Sequence, residues 1–117
     1  MNIELTRYKV KDGQSKRVDE WLKFLNDHMD DVLVTLEGEK MYVETIFREH
    51  LNGHEYLYWY SVRGEGGHEV EESEHWIDKE HLLFWEDCID KTFRPVDVKT
   101  EVVMIPHRIK AAMQDNG

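Results

Sequence analysis

His75, Asp78 and His81 stand three residues apart in a stretch with a helical pattern. Neighbours at i and i+3 on a helix face one another, so Asp78 can touch both imidazoles. A carboxylate beside an imidazole tunes a general base, and such a trio is also the beginning of a metal site. The plainer reading is a helix-capping Asp with two boundary histidines. No HExxH, no CxxC and no second cluster at ligand spacing accompanies them, so neither a metal nor a cofactor is expected. Glu44 and Arg48 form a second constellation. They share one face of a strand and lie roughly 13 Å apart along it, too far to pair directly. As a site, Glu44 moves a proton and Arg48 holds an anionic group, with Trp59 and Ser61 lining the same surface. As structure, the two charges hold a subunit interface near the sheet rim. A Glu enclosed beside Trp59 with no cation in reach has a raised pKa. The candidate catalytic residues are therefore Glu44 and His75. The candidate ligand contacts are Arg48, Trp59, Ser61, Asp78 and His81.

Other features carry less chemistry. Gly64-Glu65-Gly66-Gly67 lacks a lysine and is followed by acidic residues, so it is not a phosphate cradle; it reads as a mobile flap beside a pocket. Cys88 falls on the apolar side of its helix and reads as an inert core thiol.

The element that positions Glu44, Arg48, Trp59 and Ser61 is a hairpin over residues 41–63. Asn52-Gly53 between two strand-like arms calls for a two-residue type I′ turn, because both positions need positive φ. The register follows: Leu51 faces His54, Phe47 faces Tyr58 and Ile46 faces Trp59. One face then carries Val43, Thr45, Phe47, Tyr56, Tyr58, Tyr60 and Val62. Apolar or aromatic throughout, it is expected to lie under the helices. The other carries Tyr42, Glu44, Ile46, Arg48, Leu57, Trp59 and Ser61, a mixture that suits a pocket or a subunit interface. On this assignment Glu44 avoids burial against helices, where an unpaired carboxylate is costly.

Before the hairpin, residues 2–11 alternate as a strand until Lys11-Asp12-Gly13. From Ser15 to Leu36 apolar residues recur at i, i+3, i+4 and i+7, an amphipathic helix that Asp30-Asp31 can interrupt and Gly38 can end. After residues 64–67, a helix capped by Ser73 or Asp78 runs to about Ile89. Residues 100–105 (TEVVMI) read as a last strand stopped by Pro106, and 108–113 as a short helix or frayed tail. The order is β-α-β-β-α-β. Right-handed crossovers make it an α+β, ferredoxin-like domain, with a four-stranded antiparallel sheet and helices on one face. Residues 1–117 read as one domain. A bare second face exposes an apolar patch, and two such sheets facing each other close an eight-stranded barrel, so a homodimer is expected.

The formal net charge is −10, which argues against nucleic acid and against anionic membrane surfaces as partners. No apolar run is long enough to span a bilayer, and the chain enters its first strand without a signal-peptide pattern. The single cysteine, Cys88, excludes an internal disulfide and fits a reducing cytoplasm.

The segments LTRYKVKDG, RVDEWLKFLN, LEGEKMYVETIFRE, EYLYWYS and SEHWIDKEHL resemble a family of small bacterial proteins that carry a domain of unknown function. Element order, length and the aromatic second hairpin arm place that resemblance within the dimeric α/β-barrel superfamily. The superfamily includes antibiotic-biosynthesis-type monooxygenases, haem-degrading monooxygenases, small isomerases, mutarotases and stress-induced proteins. What the resemblance implies is a homodimer with a pocket between the sheet and a helix. The haem-degrading members use an Asn on the first strand, a Trp on the sheet and a His on the second helix. Trp59 and His75 or His81 match, but the first strand offers Thr6 and Arg7 in place of the Asn. Two function classes are therefore expected. One is a small-molecule binding protein or cofactor-independent enzyme, isomerase- or monooxygenase-like. The other is a structural homodimer without catalysis. Enclosed volume separates them: binding needs a polar-bordered cavity, whereas an interface protein fills the same space with Trp59, Tyr42 and Leu57.

Overall fold

The computed structural model describes residues 1–115. Strands β1 (Asn2–Lys9), β2 (Met41–Leu51), β3 (His54–Arg63) and β4 (Val96–Val98) form one antiparallel sheet in the order β2-β3-β1-β4. Helices α1 (Ser15–Asp27), α2 (Met29–Gly38) and α3 (Trp76–Cys88) cover one face, and α4 (His107–Asp115) follows near the C-terminus. This is the expected α+β, ferredoxin-like arrangement.

The hairpin has the register its turn demands. Leu51 pairs with His54, Phe47 with Tyr58 and Ile46 with Trp59. Asn52 (φ 54°) and Gly53 (φ 78°) supply the two left-handed residues. The amphipathic stretch is two helices, and the break falls at His28 rather than at Asp30-Asp31. Ser15 does not cap α1; its hydroxyl accepts from Arg48 instead. Neither Ser73 nor Asp78 is the N-cap of α3. That position is His75, whose Nδ1 accepts from the Ile77 amide at 3.2 Å.

Three expectations are corrected. The last strand is Val96–Val98, pairing with Leu5–Arg7, and not residues 100–105, where Val102, Val103 and Met104 are exposed. The glycine stretch is not a loose flap. The Gly64 amide donates to the Lys40 carbonyl (2.8 Å), the His68 amide donates to the Gly38 carbonyl (3.0 Å), and a Cβ on Gly67 would collide with the Glu39 carbonyl. Finally, the hairpin faces are inverted. Leu57, Trp59, Ser61 and Glu44 face the helices, while Leu5, Phe47, Tyr58 and Tyr60 form an apolar patch on the opposite face, with Phe47 54% exposed.

The reason for the inversion lies in successive rows across three strands. Tyr8, Leu57 and Arg48 form one, Thr6, Trp59 and Ile46 the next, and Glu4, Ser61 and Glu44 the last. At the first row Leu57 joins Val10, Val18, Trp21, Phe84, Cys88 and Ile89 in a dry core. Full burial of a side chain such as Leu57 is worth about 1.5–3 kcal/mol. Towards the last row the helices no longer close over the sheet, so polar residues on the helix-facing side border open space rather than packed side chains.

Candidate functional site

That space is a cavity of about 920 Å³ between the sheet and α1, α2 and α3. Its floor is Glu4, Thr6, Tyr8, Glu44, Ile46, Trp59 and Ser61; Leu22, Leu25 and Met29 help form the roof, and Ile77, Asp78, His81 and Trp85 the α3 wall. The aromatic wall is tightly knit. The Trp59 and Trp85 rings lie 5.2 Å apart, Trp59 and Trp21 5.6 Å, and Tyr8 and Trp85 4.7 Å.

Among the described residues, Glu44 sits on this floor with no cation paired to it. The Trp59 indole donates to its Oε1 at 3.2 Å. Enclosure pushes its pKa up, the indole hydrogen bond opposes that, and the Asp78 charge adds to it. The costly buried carboxyl is therefore present, and its pKa rises in response. His81 is fixed in one tautomer. Trp21 Nε1 donates to its Nδ1 at 2.9 Å, so the ring proton sits on Nε2. Burial pulls its pKa down to about 4, against the pull of Asp78, and the ring is neutral near pH 7. Asp78 is 6% exposed, and among the described residues its Oδ2 has no hydrogen-bond partner.

Glu39 joins this group, although nothing in its local sequence marks it. It follows α2 at the helix C-terminus and lines the cavity; Lys40 (φ 55°) then turns the chain into β2. Its pKa is pushed up to about 7, by burial first and then by Glu44 and Asp78, with Arg63 opposing. A carboxyl in that range can both give and take a proton at neutral pH. Tyr8, Thr6 and Trp85 are further lining residues that the motif search did not single out. A turn residue just after a helix has no periodicity, so only the fold could bring Glu39 in.

Of the residues proposed from sequence, Glu44, Trp59, Ser61, Asp78 and His81 line one cavity. Arg48 and His75 do not join them. Arg48 lies in the core-end row, where Nε donates to Glu55, Nη1 to Asp19 Oδ1 (2.5 Å) and Nη2 to the Ser15 carbonyl (3.0 Å). It braces α1 against the hairpin. His75 is engaged as the α3 cap, with Nε2 4.0 Å from Asp31. Among the described residues, no group of three or more His, Cys, Asp or Glu side chains is placed to hold a metal ion.

The fold and cavity define a ferredoxin-like α+β domain with a half-open, carboxyl-lined chamber between sheet and helices. The chain belongs to DUF6176, a family of unknown function, which it matches over residues 1–111. No curated protein matches the sequence. Among solved structures it is similar to the crystal structure of an L-rhamnose mutarotase from Formosa agariphila, at 17% identity and a TM-score of 0.53. That match covers 92% of this chain and all of the other, and it shows a shared fold.

Proposed function

We propose that the protein binds a small molecule in the cavity and isomerises it by cofactor-independent proton transfer. The observation that supports this is one cavity bordered by two carboxyls, Glu44 and Glu39, whose pKa values burial pushes up. Glu44, whose pKa is raised by burial, serves as the acid. Glu39, near half-ionised at neutral pH, takes a proton as the base. Neutral His81 offers its Nε2–H to a carbonyl oxygen as charge develops on it. Mutarotation is the first such reaction to assay, since a mutarotase shares the fold. One carboxylate removes the anomeric O–H proton while a carboxyl protonates the ring oxygen. The ring C–O bond opens to the aldehyde and recloses on its other face. The atoms balance without an oxidant. The size of the cavity favours this reading over the purely structural dimer, whose contacts would lie on the outer sheet face and need no such space.

The working protein in this proposal is a single-domain cytoplasmic homodimer. The exposed patch of Leu5, Phe47, Tyr58 and Tyr60 supports self-association, because monomers rarely leave such a patch bare. The lone buried Cys88 agrees with a reducing compartment. The catalytic test is NMR exchange spectroscopy on the anomers of neutral and amino-substituted reducing sugars. Wild type should speed exchange of at least one sugar over buffer, and Glu44→Gln should slow it by ~100-fold with the fold intact. Unchanged exchange in Glu44→Gln rejects Glu44 as the acid, and no acceleration across the panel rejects mutarotation.

A further inference from the structure

We infer that the molecule held in the cavity carries a positive charge, an organic ammonium group seated beside Asp78 against the aromatic wall of Trp59 and Trp85. This rests on the reading of the cavity as a binding site. The first argument is the charge account of the lining. Its two cations are already committed, Arg63 to Glu69 at 2.7 Å and Lys91 to Glu86 at 2.6 Å. His81 is neutral. Among the described residues, Glu4, Glu39, Glu44 and Asp78 have no salt bridge. A carboxylate or phosphate ligand would meet several acidic groups and no available counter-charge, and the field of a chain with formal charge −10 repels it at a distance as well.

The second argument is independent of that count. Asp78 is more than nine-tenths buried, yet among the described residues its Oδ2 has no donor. A buried carboxylate with an oxygen lacking a donor is costly, and an ammonium drawn against the cavity-lining Asp78 supplies the compensating charge. The third is the wall. Indole faces attract cations, and Trp59 and Trp85 border the same chamber as Asp78. Neutral hydroxyl groups can donate to Asp78, but they leave the acidic field uncompensated and gain nothing from the indoles.

Three probes of one shape and different charge test this: cyclohexylammonium, cyclohexanol and cyclohexanecarboxylate. Binding is read on the full chain from the indole N–H resonances of Trp59 and Trp85. The ammonium should bind roughly tenfold more tightly than the alcohol, and the carboxylate should not bind. Asp78→Asn should erase the preference for ammonium over alcohol, with the alcohol still bound. Should that variant fail to fold, Glu39→Gln is expected to reduce the same preference. Binding of the alcohol or carboxylate at least as tightly as the ammonium overturns the charge assignment and leaves the cavity a binding site. If none of the three shifts the indoles, the binding reading falls and this inference with it. An ammonium preference unchanged in both variants overturns the role given to the carboxyls.

Discussion

Replacing Glu39 with Gln should stabilise the protein, by an amount that grows as pH rises from about 4.5 to about 7 and is full above that. Glu39 faces Glu44 from β2, Asp78 from α3 and Glu69 from the segment before α3, with Arg63 of β3 as the opposing cation. Its pKa rises from an ordinary 4.5 to about 7 in the folded protein. Between those values the unfolded chain has lost a proton that the folded protein keeps. Stability therefore falls as pH rises through that window and stays low above it. The full displacement corresponds to at most about 3 kcal/mol. Glu39 is only half buried, and solvent screening reduces the figure to ~1–2 kcal/mol. Gln keeps the size and polarity of the side chain and removes the charge. In urea, with a slope of ~1.5 kcal/mol per molar, the variant's unfolding midpoint should exceed wild type by about 1 M at about pH 8. The two should coincide at about pH 4, where Glu39 is protonated in the folded protein and mostly so in the unfolded chain. Equal gains at both pH values would mean that packing, not charge, is responsible. No gain at the higher pH would refute the crowding of carboxyls around Glu39.

Other outcomes follow from the same structure. Phe47→Arg, on the outer sheet face, should weaken self-association by ~10–100-fold in light scattering across a concentration series, and a wild-type monomer at micromolar concentration would count against the dimer. Arg48→Met leaves Glu55, which is 8% exposed, with only the exposed His50 imidazole 3.5 Å away, and should lower stability by ~2–4 kcal/mol in urea unfolding. Adding Glu55→Gln should recover much of that loss. If the double variant is as unstable as the single one, Arg48 acts by packing alone.

The hairpin was legible to the residue because Asn52-Gly53 fixes both turn type and register. The faces were not. An alternating strand announces two surfaces but not which one the helices take, and the burial cost of Glu44 pointed the wrong way. That argument took the helix-covered face to be dry. Here the helices close over Leu57 but stand away from Glu44 and Ser61, and the cost appears as a raised pKa instead. Glu44, Trp59, Ser61, Asp78 and His81 were legible as neighbours of one cavity because strand alternation and helical spacing each keep their own members together. Arg48 shares the face of Glu44 but sits two rows away, where it meets Glu55 and Asp19. The last strand was displaced because residues 96–98 and 100–105 are both rich in β-branched side chains. Only the register against β1 chooses between them.

Helix α2 forms part of the cavity roof, and none of its residues is buried; Leu33 and Val34 are more than half exposed. Little apolar contact holds it down, so its opening free energy lies well below that of α1 or α3. The residence time of a molecule in the chamber is then governed by how often this one segment lifts, not by the strength of the floor contacts alone. Amide hydrogen exchange should be fastest in α2 among the three helices, and it should slow there first when the chamber fills.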